Sequence, residues 1–128
     1  TNLQEDEIIT SIDLPAKGFA KHYTYLKLRD RASYAFALVS VAAALDLDGD
    51  TIKEVRVALG GVAHKPWRIP EAEAKLKGKP ATKENFQGLA EAYLEGAKSY
   101  GHNDFKIELA KRAIVRALEQ ALEMEERS

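Results

Sequence analysis

FALVSVAAALDLDGDTIKEVRVAL, residues 36–59, decides the fold. Phe36–Leu47 is apolar and rich in Val and Ala, so its periodicity alone types it neither as strand nor as helix. The turn Asp48-Gly49-Asp50 and the residues after it settle the matter. Thr51–Leu59 alternates, with Val55, Val57 and Leu59 on one face and Glu54 and Arg56 on the other. Two such runs around a Gly-containing turn predict an antiparallel hairpin. Gly60-Gly61 then ends the ladder, which predicts a bend at a strand end. A phosphate-cradling reading of the pair is weak, because no helix start and no Lys-Ser/Thr pair follows.

On the N-terminal side, Glu7–Leu14 also alternates. Ile8, Thr10, Ile12 and Leu14 share one face, and Glu7, Ile9, Ser11 and Asp13 the other. This predicts a further strand, ended by Pro15 and Gly18. Lys21–Ser33, KHYTYLKLRDRAS, reads as a long basic and aromatic connection between that strand and the hairpin. On the C-terminal side the pattern turns helical. Pro70-Glu71-Ala72-Glu73 suits a first turn and Gly78 a stop. Thr82 caps a second helix through Ala97, ended near Gly101, and Asn103 or Asp104 caps a third. Along the third, Ile107, Ala110, Ile114, Ala117, Ala121 and Leu122 form an apolar stripe opposite Lys111, Arg112, Glu119 and Glu123. Strands followed by three helices predict an α+β domain, an antiparallel sheet with one face covered by helices.

The bulk properties bound the function. The 128 residues make one domain. A net charge of −1 carries no electrostatic footprint for nucleic acid or an anionic membrane. The chain has no cysteine, so it supplies no disulfide, thiolate zinc site or iron–sulfur ligation. The longest apolar run, Tyr34–Leu45, is too short to span a bilayer. The acidic start TNLQEDE is unlike a signal or transit peptide, and without an initiating Met the chain is expected to be a piece of a longer protein.

No set of residues has the spacing of a catalytic centre. His22, His64 and His102 are scattered and match no metal-ligand motif. Ser11, Ser33, Ser40 and Ser99 lie in no nucleophile-elbow context. The charge cluster Lys27-Leu28-Arg29-Asp30-Arg31 stands out, either as a solvated loop or as a basic loop beside an anionic or electron-rich ligand. Spacing alone favours the solvated loop. Ile9 is the apolar exception on a polar strand face. Trp67, between Pro66 and Arg68, reads as a packing anchor, with an interface anchor as the alternative.

Four stretches together carry a family resemblance: ITSIDLP (9–15), YLKLRDRASYAFALVSVAAAL (25–45), GDTIKEVRVALGGVAHKPWRIPEAEAKLKG (49–78) and GHNDFKIELAKRAIVRALEQAL (101–122). Their order and spacing resemble the C-terminal domain of the medium, FAD-binding subunit of molybdenum hydroxylases. This is the xanthine dehydrogenase and carbon monoxide dehydrogenase flavoprotein family, and the last helix is most like that of bacterial aldehyde-oxidising members. The resemblance implies a three- to four-stranded antiparallel sheet packed on three helices. It implies an oxidoreductase that oxidises purines, aldehydes or similar substrates at a molybdenum cofactor on a large subunit. Electrons would pass through [2Fe–2S] clusters on a small subunit to FAD on the medium one. The Gly-rich N-terminal domain that holds the FAD phosphates is absent from this chain, which alone is not expected to be active.

The resemblance also implies site residues. Lys27 occupies the position of a flavin-site lysine. Ile9, six residues before Pro15, matches a hydrophobic residue that touches the flavin rings. The loop Leu28–Tyr34, with Arg29 and Arg31, approaches the flavin. Its sequence has fewer acids than the mammalian pattern. No catalytic and no metal-binding residue is assigned to this chain. The expected partners are the molybdenum and iron–sulfur subunits, with neither nucleic acid nor membrane, in the cytoplasm or in the periplasm through a partner's export signal. A non-catalytic subunit-docking or dimerisation domain is the alternative, since a related architecture dimerises other flavoproteins.

Overall fold

The computed structural model describes residues 3–14, 16, 18–30, 36–98, 101 and 104–124. Strands β1 (Tyr23–Leu28), β2 (Val39–Asp48) and β3 (Thr51–Gly60) precede helices α1 (Pro70–Ala74), α2 (Lys83–Leu94) and α3 (Asp104–Glu123). The strands form one antiparallel sheet in the order β1-β2-β3. The predicted hairpin is β2–β3, turning at Gly49 with φ +57°. Asp46 pairs with Glu54 but Leu47 with Ile52, so Lys53 is an extra residue in β3. That bulge lets Ile52 face inward together with Val55, Val57 and Leu59.

The strand predicted at Glu7–Leu14 does not form here. The segment makes no ladder, and Ile8, Ile12 and Leu14 are 78–83% exposed. Alternation gives a strand only where another edge pairs with it, and none does so among the described residues. The sheet's third strand is instead YTYLKL, inside the stretch predicted as a loop. Its charged and aromatic residues hide an alternation of their own. Thr24, Leu26 and Leu28 turn toward the helices, while Tyr23, Tyr25 and Lys27 turn away.

The core is the inward sheet face against the helices. Val39, Val41, Ala43 and Leu45 of β2 meet Ala110, Ala113, Ile114, Ala117, Leu118 and Ala121 of α3, with Phe86, Leu89 and Ala90 of α2 alongside. The α3 stripe follows the predicted i, i+3, i+4 spacing. Pro70 stands at the first position of α1 as predicted. Helix α2 stops at Leu94, short of Ala97, where Gly96 takes φ +74°. Asp104 is the first residue of α3. Asn103 lies outside the described residues, as do Pro15, His102, Ser33 and Ser99.

The outer edge of β3 is closed by unusual means. Leu59 exchanges two 2.9 Å backbone bonds with Trp67, and Ile52 bonds Lys79 and Gly78. Between them, Val57 is met by side chains. Its N–H donates to Glu73 Oε1 (2.9 Å), and the Tyr93 hydroxyl lies 2.8 Å from both its carbonyl and Glu73 Oε1. Arg68 clamps the same carboxylate through Nε and Nη2, the latter at 2.6 Å. Burial pushes the Glu73 carboxyl up, but bonds from Arg68, Val57 and Tyr93 outweigh it and hold the group below the ordinary carboxylate range. Burial and the neighbouring carboxylate raise the Tyr93 phenol, so it stays protonated.

At the other end of the domain, His22 takes φ +53° and is buried. Its Nδ1 lies 3.1 Å from the Ala121 carbonyl in the last turn of α3, and its own carbonyl accepts from Leu45 N–H.

Glu73→Ala would leave Arg68, Val57 N–H and Tyr93 without their shared acceptor. The expected cost is about 2–4 kcal/mol in a urea titration. Because Glu73 is depressed in the folded state, its contribution is complete above the unfolded carboxyl value of 4.5 and disappears as pH falls through the lower folded value. Stability measured against pH should therefore fall on this acid limb in the wild type and less steeply in Glu73→Ala.

Candidate functional site: the open face of the sheet

The helices cover one face of the sheet, and the register fixes what the other presents. Three cross-strand rows face outward: Tyr23–Ala44–Arg56, Tyr25–Ala42–Ala58 and Lys27–Ser40–Gly60. Within these rows the middle strand carries only Ala and Ser, so the floor is flat between taller walls. Tyr23 and Tyr25, both more than half exposed, form one wall. Arg56 forms the other, held by Glu54 at 2.7 Å and lying over the Phe19 ring at 5.1 Å. Together these residues bound a shallow, mostly apolar depression of about 490 Å³.

Two glycines keep the Lys27 end of the face low. A Cβ on Gly60 would stand 2.5 Å from Ser40 Oγ. Gly61 has φ +80°, and a Cβ there would meet the Leu38 carbonyl oxygen at 2.8 Å. The Gly-Gly bend predicted from sequence is thus also what lets β3 pass close to β2 beside Lys27.

Lys27 is exposed and makes no ion pair among the described residues. Arg29 follows just past the end of β1, also exposed and also without an ion pair among them. Arg31 lies outside the described residues. Ile9 is 66% exposed in the N-terminal segment and belongs to no strand of this sheet. The structure therefore brings Lys27 to the rim of the apolar floor and leaves Ile9 apart from the sheet ladder. Sequence reasoning missed Tyr23, Tyr25, Ala42, Ala58 and Arg56. The available signal was the period of two in Tyr23-x-Tyr25-x-Lys27. Trp67 pairs with Leu59 through its backbone while its side chain stays 42% exposed, so it is not enclosed by its own domain.

A flat apolar floor with one ammonium at its rim suits the face of a planar ring carrying a polar edge. A second depression, between α2 and α3, is lined by Lys83, Lys111, Arg112 and Arg116 with Glu91, Glu108 and Glu119. Mixed signs there, including the exposed Lys83–Glu119 pair at 3.4 Å, mark a solvated surface. Among the described residues no group of three potential ligands gathers for a metal ion, and no helix is long and apolar enough to cross a membrane.

Residues 22–121 match the model of the CO dehydrogenase flavoprotein C-terminal domain. Over 121 residues the chain is 46% identical to the aldehyde oxidoreductase FAD-binding subunit PaoB of Escherichia coli (strain K12), covering 94% of this chain and 35% of that one. It is 32% identical to the carbon monoxide dehydrogenase medium chain of Hydrogenophaga pseudoflava, covering 94% and 43%. A solved structure of carbon monoxide dehydrogenase from that organism, lacking the Mo-pyranopterin moiety of the molybdenum cofactor, superposes with a TM-score of 0.74 at 31% identity. The overlap covers 85% of this chain and 39% of that one. The chain thus spans well under half the length of these relatives.

Lys27 is exposed and makes no ion pair among the described residues, whereas Gly61 supports the sheet. Lys27→Ala should change the unfolding free energy by no more than about 0.5 kcal/mol. Gly61→Ala should cost about 1–3 kcal/mol, through positive φ and the clash at Leu38. Chemical denaturation of the two variants beside the wild type checks both.

Proposed function

The chain belongs to the CO dehydrogenase flavoprotein C-terminal domain family, and from that premise we propose that it walls one side of an FAD site in a molybdenum hydroxylase. The rest of that site, the Gly-rich part that holds the FAD phosphates, is assigned to an N-terminal domain of the same subunit. The reading is supported by a single observation, the exposed Lys27, without an ion pair among the described residues, at the rim of the flat face beside Ser40 and Gly60. FAD, when bound, supplies electron transfer, accepting from [2Fe–2S] clusters on a small subunit and delivering to an acceptor. Substrates such as aldehydes or purines would be oxidised at the molybdenum cofactor of a large subunit.

The residues of this chain fit that role. Ala42, Ala58 and Gly60 leave room for a planar ring, and Tyr25 stands beside them. Lys27 holds a compact positive charge where an oxygen at the ring's edge or on its side chain would lie. A fixed ammonium there favours negative charge on its neighbour and so raises a reduction potential. Arg29, just past β1, and Arg31, two residues further along the sequence, add positive charge, and Ile9 supplies an apolar contact from the N-terminal segment. None of these residues acts on the substrate, so the chemistry of oxidation belongs to the partners.

The test is Lys27→Ala in the complete enzyme. A lower flavin potential or weaker FAD retention is expected, with substrate oxidation at the molybdenum centre unchanged when an artificial acceptor bypasses the flavin. Unchanged flavin behaviour would leave this chain as a docking domain with a solvated lysine. The isolated chain offers only one wall, which does not offset the cost of immobilising a cofactor. Titrating FAD into it and following flavin fluorescence should show no saturable binding in the micromolar range, and saturation there would place the phosphate site within this chain.

A further inference from the structure

Three polar side chains are buried among the described residues, and two of them serve the fold. Glu73 holds the edge of β3, and His22 meets the Ala121 carbonyl. Ser40, only 8% exposed, does neither, and its hydroxyl has no hydrogen-bond partner among the described residues. A buried polar group without a partner needs a physical reason. Every fully enclosed side-chain nitrogen or oxygen among those residues is hydrogen-bonded, so the Ser40 oxygen itself is not enclosed and opens outward.

The pleat fixes the direction in which it opens. Val39 and Val41 on either side turn into the core, so Ser40 turns to the open face of the sheet. There it is the direct cross-strand partner of Lys27 on one side and of Gly60 on the other. Direct partners on antiparallel strands stand about 5 Å apart at Cβ, so one ligand edge can meet both the ammonium and the hydroxyl. Gly60 leaves the hydroxyl its place, because a Cβ there would stand 2.5 Å from Oγ and push it aside. The next outward residues of β2, Ala42 and Ala44, show that the sheet itself asks for no polar group on this face. Ser40 is thus a hydroxyl where neither core packing nor strand pairing requires one.

We infer that the Ser40 hydroxyl donates a hydrogen bond to an acceptor atom on the polar edge of the flavin ring, beside the atom that Lys27 faces. The inference rests on the proposed flavin wall and adds a binding residue to it. A single flexible ammonium fixes a charge near the ring without fixing the ring's rotation in its own plane. A second, directional contact from a short side chain on a strand does fix it, over the floor of Ala42 and Ala58. Reduction places negative charge on the ring, and a donor aimed at that edge then binds more strongly.

The test is Ser40→Ala and Ser40→Thr in the complete enzyme beside Lys27→Ala, compared at equal iron and molybdenum content. FAD retention is measured by titrating FAD into the deflavinated enzyme, and the flavin potential by redox titration. Ser40→Ala should bind FAD about three- to tenfold more weakly. Its flavin potential should fall by about 15–30 mV, a three- to tenfold loss in preference for the reduced form. Ser40→Thr keeps the donor on a residue that strands favour, and should match the wild type in both readings. Equal defects in the Ala and Thr variants overturn the inference, since the side chain would then act through its shape. Weaker retention at an unchanged potential overturns the donor role. A defect in Lys27→Ala alone overturns the part given to Ser40 and keeps the flavin wall, whereas wild-type behaviour in all three variants removes the flavin reading together with the inference.

Discussion

An edge strand exposes backbone donors and acceptors that must find partners or water, and in this domain the segment from Trp67 to Tyr93 answers that requirement for β3. Val57 points its N–H and carbonyl outward from β3, and two side chains meet them, Glu73 from α1 and Tyr93 from α2. A carboxylate taken out of water this far needs a charge partner, which Arg68 provides with a forked pair of bonds. One short cluster therefore closes the sheet edge, fixes a helix of only five residues, and ties α2 to both. A helix so short has little stability of its own, so its position is set by these bonds and by Ala72 and Leu76 in the core.

With β3 closed and the helices gathered on one face, the opposite face of the sheet is left open. Its chemistry follows from the pleat. Inward Val and Leu that build the core alternate with outward Ala and Ser on β2, with Arg56, Ala58 and Gly60 on β3, and with Tyr and Lys on β1. The small residues make the floor, and the strand farthest from the Glu73 cluster makes the aromatic and cationic wall. Folding and site are thus two faces of the same strands. That is why Lys27 stands without an ion pair among the described residues and does not burden the domain, and why Gly60 and Gly61, at the end of β3, also shape the rim of the open face.

Much of the fold was legible in the sequence. The β2–β3 hairpin, the Gly-Gly bend, the proline at the start of α1 and the apolar stripe of α3 all follow from local pattern, because in each the deciding interaction lies within a few residues. Lys27 as a site residue came from resemblance, since spacing alone favoured a solvated loop. Two strand assignments failed for one reason. Glu7–Leu14 alternates cleanly yet pairs with no edge among the described residues, whereas YTYLKL is charged and aromatic yet pairs along its whole length with β2.

By itself the sequence determined the class of the domain, its order of strands before helices, its lack of thiol chemistry, and the faces of its amphipathic elements. Those properties depend on residue type and on local periodicity. The tertiary structure decided which amphipathic segment became the third strand, that Glu73 and Tyr93 would close the sheet edge across 16 and 36 residues, and that Tyr25, Ala42 and Ala58 would stand in one row. Pairing and register depend on contacts between residues far apart in the chain. No local pattern encodes them until the edges meet.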